Sequence, residues 1–203
     1  MKVTLAELKE HNACSEGLKY FTQNFGEEAE TDEIIKKLLD EKTTTNWIWW
    51  LANEFNLTTV FKRWYENGLL REKCFYKNGE REGVYKYWHE NGQIGECCYY
   101  KKGTIDGEYK SWHENWQLRE ECFYQNGELE GVYKSWHENG QLKLECFYQN
   151  GRVEGDYKYW GENGQLREEC FYKNGRVEGD YKYWRENGTL LQHCFYKNGG
   201  RVK

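Results

Sequence analysis

From Asn56 onward, apolar and polar residues alternate with period 2, and Asn-Gly pairs interrupt the alternation at regular intervals. The stretch YKSWHENGQLKLECFYQNGRVEGD, residues 133–156, shows the pattern in full. Alternation of this kind predicts strands with two different faces. Asn-Gly between β-prone runs predicts hairpin turns, because both residues tolerate positive φ. Each 24-residue block thus predicts two strands and two turns. The blocks run 61–84, 85–108, 109–132, 133–156, 157–180 and 181–203. Trp64, Trp88, Trp112, Trp136, Trp160 and Trp184 share one position of the block, and Cys74, Cys98, Cys122, Cys146, Cys170 and Cys194 share another. Tandem units of this size bury surface only against their neighbours. The expected fold is mainly β: an elongated single-layer antiparallel sheet of about twelve short hairpin strands over residues 57–203.

Residues 1–56 share nothing with the blocks and follow helical spacing. Thr4 and Glu7 form a capping box ahead of Leu5 and Leu8. Ser15 is the expected cap of a second helix carrying Leu18 and Phe21. Asp32 is the expected start of a third, with Ile34, Ile35, Leu38 and Leu39. Thr44 or Thr45 opens a fourth, with Trp47, Trp50, Leu51 and Phe55 on one side. Trp49 points away from Trp47 and Trp50 in that helix, which makes it a candidate for partner contact. The region is expected to be a small helical domain covering the first edge of the sheet, since an open edge exposes unpaired backbone groups.

A two-residue loop at Asn139-Gly140 fixes a register. Trp136 then faces Lys143, Lys134 faces Glu145, and Tyr133 faces Cys146. One face carries Tyr133, Ser135, His137, Leu142, Leu144, Cys146 and Tyr148, and is the better buried. The other carries Lys134, Trp136, Lys143, Glu145 and Phe147. The same rule sets Trp112 against Arg119 and Trp160 against Arg167, and pairs Lys110 with Glu121 and Lys158 with Glu169. At the ends it breaks, setting Lys62 against Lys73 and Lys182 against His193.

An aromatic strand, then E-N-G, then a strand ending C-F-Y-x-N-G with a Gly four residues on, as in Gly151 and Gly155, resembles the MORN repeat. It is closest to the variant bacterial subtype, an antitoxin-like repeat family. The resemblance covers about 143 of the 203 residues. It implies a sheet of hairpins that acts as a scaffold and protein-binding surface, and it brings no catalytic residues with it. The 24-residue period is one longer than the common repeat, and the cysteine column is unusual.

Composition narrows the function further. Aromatics make up 18% of residues and proline is absent, which suits uninterrupted ladders whose apolar surface is aromatic. The net charge of −5 argues against general attraction to nucleic acid or anionic lipid. No apolar run approaches a membrane span, and the N-terminal residues lack the apolar centre of a signal peptide. The expected location is cytoplasmic.

Eight cysteines raise the question of metal or disulfides. Members of the repeated column lie two strands apart, roughly 9.6 Å, beyond the ~7 Å that a disulfide spans and too far to share a metal. They read as small buried thiols. His89, His113 and His137 have the same spacing and read as packing residues. No cofactor, metal site or catalytic constellation is expected, and the chain reads as a non-enzyme.

The leading function is a protein-binding scaffold, acting as an inhibitor or antitoxin by covering a partner. Its candidate contact residues are Trp88, Trp112, Arg119, Trp136, Lys143, Trp160, Arg167 and Trp184, together with Trp49, because Trp and Arg dominate interface hot spots. Recognition of a carbohydrate or another small ligand is the alternative, with single-stranded nucleic acid behind it. The last strand, about Leu190 to Tyr196, lacks proline and clear charge. It is expected to leave a pairing edge through which two copies join as a homodimer, with Leu191, Cys194 and Tyr196 in the contact.

Overall fold

The structure, a computed structural model, describes residues 1–31, 33–34, 37, 50–51, 54–55 and 59–202. Near the N-terminus, β1 (Lys2–Thr4) leads directly into α1 (Leu5–Glu10), and α2 (Ser15–Phe25) leads to β2 (Glu28–Glu30). The capping box forms as expected. The Thr4 hydroxyl accepts from the Glu7 amide at 3.2 Å, and the Glu7 carboxylate accepts from the Thr4 amide at 2.8 Å. The second helix starts one residue earlier in its capping than expected: the Cys14 sulfur accepts from the Gly17 amide at 3.4 Å, and Ser15 is already helical.

The region is not purely helical. Antiparallel pairing of β1 with β2 sets Val3 opposite Ala29, and both side chains are buried. Three residues are too few for a helical or strand pattern to show in the sequence. Around this pair, Leu5, Leu8, Phe21, Ile34 and Leu51 form a core, against which Leu18, Tyr20, Phe25, Trp50 and Phe55 pack. The expected caps of the third and fourth helices, with Ile35, Leu38, Leu39, Trp47 and Trp49, lie outside the described residues.

The remainder is one antiparallel sheet of 15 strands among the described residues. Two of these, Glu80–Arg81 and Glu128–Leu129, are short pieces split by irregularities from the strands that follow. The path from the first strand to the last crosses 13 strands, and sheet neighbours are also sequence neighbours. At ~4.8 Å per strand the array is roughly 58 Å long.

The two Asn-Gly pairs of a block make different turns. At Asn150-Gly151 both residues have positive φ, +50° and +70°, as a type I′ turn requires. At Asn139-Gly140 only Gly140 is positive, at +81°. There Gly140 N–H donates to the His137 carbonyl and His137 N–H to the Gln141 carbonyl, both at 2.9 Å. This is a three-residue loop, Glu138 to Gly140, in which the left-handed glycine ends a type I turn. Trp136 consequently faces Leu142, and a bulge between Ser135 and Trp136 restores the expected register, with Lys134 opposite Glu145 and Tyr133 opposite Cys146.

The correction is general. Trp88, Trp112, Trp160 and Trp184 face Ile94, Leu118, Leu166 and Leu190, so the expected pairing of Trp with Arg119, Lys143 and Arg167 does not form. The end effects are as expected: Lys62 lies opposite Lys73, and Lys182 opposite His193.

The sequence contains a second bonding system that the pattern alone did not disclose. Each turn is tied to the block before it. Glu82, Asp106, Glu130, Glu154 and Glu178 accept from the backbone N–H of Lys102, Asn126, Asn150, Asn174 and Asn198 at 2.6–3.4 Å. On the opposite margin, Asn67, Asn91, Asn115, Asn139 and Asn163 donate to the carbonyls of Glu90, Glu114, Glu138, Glu162 and Glu186. The blocks are thus joined along both margins as well as through the ladder.

The last strand also differs from expectation. Gly200–Val202 folds back onto the preceding strand, pairing Val202, Arg201 and Gly200 with Phe195, Tyr196 and Lys197. Among the described residues the start of the Leu190–Lys197 strand stays uncovered, where Leu191 is 50% exposed and Cys194 is buried, and Gly200–Val202 becomes the edge beyond it.

Candidate functional site

The two faces of the sheet differ in what they leave exposed. On the first, the column Cys74, Cys98, Cys122, Cys146, Cys170 and Cys194 is only 1–8% exposed. Tyrosines flank it in edge-on pairs, among them Tyr85–Tyr100, Tyr109–Tyr124 and Tyr133–Tyr148, with centroids 5.8–5.9 Å apart. Burial raises the thiol pKa to about 12 for Cys98, Cys122 and Cys170 and to about 11 for Cys146. This face is a closed seam of thiols and rings.

His89, His113 and His137 belong to the margin of this face. Their Nε2 atoms lie 2.8–3.0 Å from the carbonyls of Trp112, Trp136 and Trp160 in the following blocks. A carbonyl only accepts, so Nε2 carries the proton. Tyr65 does the same for the first block, donating to the Trp88 carbonyl at 2.8 Å. The histidine column therefore ties blocks together.

The second face has three parallel bands. The first is a row of half-exposed rings: Tyr99 42%, Phe123 43%, Phe147 41%, Phe171 43% and Phe195 51%. Opposite them on the paired strands stand Val84, Glu108, Val132, Asp156 and Asp180. The second band is a zipper of charge. Lys110 meets Glu121 at 2.9 Å, Lys134 meets Glu145 at 3.0 Å, and Glu169 stands between Lys158 at 3.7 Å and Lys182 at 3.9 Å. The third band is the Trp column with its facing Leu or Ile. The bands converge in shallow grooves; one of about 230 Å³ brings together Val84, Tyr99, Glu108, Lys110 and Trp112.

The expected site residues divide accordingly. Trp88, Trp112, Trp136, Trp160 and Trp184 lie on this face but are half-buried. Arg119 and Arg167 leave it. The Arg119 Nε donates to the Ser111 hydroxyl of the first face at 3.2 Å, and the Arg167 guanidinium lies over the Tyr183 ring at 5.8 Å. The bulge next to each Trp turns these arginines away. Lys143 holds the same bulge position and is exposed.

The residues that reasoning from sequence missed are the Phe and Tyr row. Parity sets Phe147 on this face, but the extent to which its ring stays exposed depends on the neighbouring strands and is not carried by the alternation. Trp116 stands at the position where the other five blocks carry glycine, at 68, 92, 140, 164 and 188. It is 67% exposed and has φ +72°, a left-handed backbone that bulky residues rarely adopt.

A repeat sheet with a closed seam on one face and an open aromatic and charged face on the other belongs to the class of repeat-sheet binding modules. The family itself is shown by six tandem matches to the MORN repeat variant, at residues 57–78, 81–102, 105–126, 129–150, 153–174 and 177–198, and the chain belongs to that family. MORN repeats are generally binding modules, commonly mediate protein interactions, and are typically non-enzymatic. No curated protein matches the chain. Among solved structures, a TarM mutant from S. aureus in complex with fondaparinux, alpha-GlcNAc-glycerol and UDP aligns at 10% identity with a TM-score of 0.31. The alignment covers 86% of this chain and only 30% of that one, and a likeness this slight carries no argument. Among the described residues, no helix is long and apolar enough to cross a membrane.

Proposed function

We propose that the repeat sheet is a protein-docking scaffold whose contact surface is the face bearing Tyr99, Phe123, Phe147, Phe171 and Phe195. One observation carries the reading: five aromatic rings, one from each of blocks two to six, each left 41–51% exposed and aligned in one column across the sheet. An isolated exposed apolar residue is ordinary, whereas a column of half-exposed rings interleaved with valine and acidic side chains supports an interaction surface. The charge zipper and the half-buried Trp column flank the row. They supply the polar rim and the rigid indole edges that interfaces use. The scaffold acts without chemistry of its own, by covering a partner as an inhibitor or antitoxin does.

The test is partner capture from the native host, followed by purified binding measurements. Replacing Phe123 and Phe147 together with Ala should weaken binding by about 2 kcal/mol or more, as for hot-spot residues. Replacing Tyr148, on the closed face, with Phe should leave affinity unchanged. Equal affinity for the Phe123/Phe147 variant would reject this face as the contact surface.

A further inference from the structure

The charge zipper is incomplete at one end of the face. In the row that runs across the strands, Lys62 faces Lys73, Lys73 faces Lys86, Lys86 faces Cys97, and Cys97 faces Lys110. The first carboxylate met along that row is Glu121. From there on, Lys and Glu alternate: Glu121 faces Lys134, Lys134 faces Glu145, Glu145 faces Lys158, and Glu169 lies between Lys158 and Lys182. The first two blocks therefore carry Lys73 and Cys97 where blocks three to five carry Glu121, Glu145 and Glu169; the sixth carries His193, which meets Asp180 at 2.8 Å.

Like charges directly opposite one another on adjacent strands are destabilising. Here three ammonium groups succeed each other at ~4.8 Å strand spacing. The nearby acid Glu72 does not relieve them, because it is buried on the other face, between Arg63 at 3.7 Å and Arg81 at 3.5 Å. The Lys73 ammonium lies instead against the Phe75 ring, 5.4 Å from its centroid. Beside the lysines stand Val84, 41% exposed, and Tyr99, 42% exposed, at the head of the aromatic row.

We infer that Lys62, Lys73 and Lys86 form the docking point for an acidic segment of the partner protein, one that alternates carboxylates with apolar side chains. The inference rests on the proposed use of this face and names the chemistry of what binds there. Carboxylates complete the zipper that the chain itself leaves open, and apolar side chains cover Val84, Phe75 and Tyr99. A protein segment fits better than a polyanion. The positive patch is confined to one end, and the net charge of −5 repels extended phosphate backbones and anionic membranes. Attraction of this kind steers encounter and weakens with salt.

The test uses the full chain and a fluorescent peptide of alternating Glu and Leu, with a Gln-Leu peptide as control. The Glu-Leu peptide should bind at low salt at least about tenfold more tightly than the control, and should weaken as salt rises. Lys73→Glu restores the pattern of the later blocks. It should raise thermal stability while weakening the peptide at least about tenfold, two effects of opposite sign that a purely structural lysine would not give. Lys143→Glu makes the same charge change at an exposed position of the fourth block, remote from Lys62, Lys73 and Lys86, and should leave binding intact. Equal binding of both peptides, or equal loss with Lys143→Glu, would overturn the inference. So would failure of the Glu-Leu peptide while phosphatidylserine vesicles or oligothymidine bind in a Lys73-dependent way. If Lys73→Glu leaves captured partner bound while the Phe123/Phe147 variant loses it, the docking face stands and this inference alone fails.

Discussion

The ties between successive blocks predict a specific energetic cost. Glu154 accepts from the backbone N–H of Asn174 at 2.6 Å, and Gly175 N–H donates to the Val153 carbonyl at 3.1 Å beside it. Together these two bonds hold the Asn174-Gly175 turn, whose residues both have positive φ, against the previous block. Replacing Glu154 with Ala removes a charge-assisted bond, worth ~1.5–3 kcal/mol in a protected setting. Asn174 is exposed, so water recovers part of the loss, and the expected cost is about 1 kcal/mol. Glu154→Gln keeps a neutral acceptor and should cost about half as much. In a chain of this size ~1 kcal/mol corresponds to a fall in Tm of roughly 2–4 °C. Blocks repeat at ~9.6 Å, far enough for such costs to add. Removing all five acids should therefore cost about 5 kcal/mol, comparable with the whole stability of many domains. Urea unfolding gives the energies, and hydrogen exchange at the Asn174 amide reports the bond itself. If Glu154→Ala stays within about 0.3 kcal/mol of the parent and the Asn174 amide exchanges no faster, the ties are incidental and the reasoning fails.

Further outcomes follow from the same geometry. The buried thiols of Cys98, Cys122, Cys146 and Cys170 hold their protons in the folded state, whereas unfolding returns them toward the ordinary value of 9.0. Their contribution is full below about pH 9 and is lost as pH rises from there toward 12, so urea midpoints should fall across that window; a flat profile would contradict the buried seam. Iodoacetamide at neutral pH should modify exposed Cys14 first, with the column thiols reacting only on unfolding, as peptide mapping can show. Trp116→Gly relieves a left-handed indole-bearing residue and should stabilise by about 0.5–1 kcal/mol in urea unfolding. Light scattering at tens of micromolar tests the C-terminal edge. A dimer that Leu191→Lys disperses would assign the interface there, and a monomeric mass would exclude it.

Much of the fold was legible because the repeat supplies its own internal comparison. Period-2 alternation and paired Asn-Gly turns give the strands, and parity gives the Lys134–Glu145 pair directly. The local error came from treating two identical dipeptides as the same turn. Asn139-Gly140 follows Glu138 in a three-residue loop, and a single added loop residue, cancelled by a bulge, moves each Trp from an Arg or Lys partner to a Leu. No residue-type pattern separates the two turns without the hydrogen bonds at His137. The acid of N-G-x-x-E-G recurs with the block, but its partner is not visible in the sequence. Its bond spans 20 residues, from Glu154 to Asn174, and only the stacking of blocks brings the two together. The β1–β2 pair was hidden for the opposite reason, because three-residue strands carry too little pattern.

The docking face is tested most directly by hydroxyl-radical footprinting of the purified complex with a captured partner. Adjacent residues in one strand then report opposite faces: Phe147 belongs to the open row and Tyr148 to the closed seam. The account predicts protection of Tyr99, Phe123, Phe147 and Phe171 on binding, with Tyr124, Tyr148 and Tyr172 unchanged. Protection of the tyrosine seam, or of exposed Met1 and Cys14 with Trp50 in the N-terminal unit while the Phe row stays as reactive as in the free protein, would contradict it.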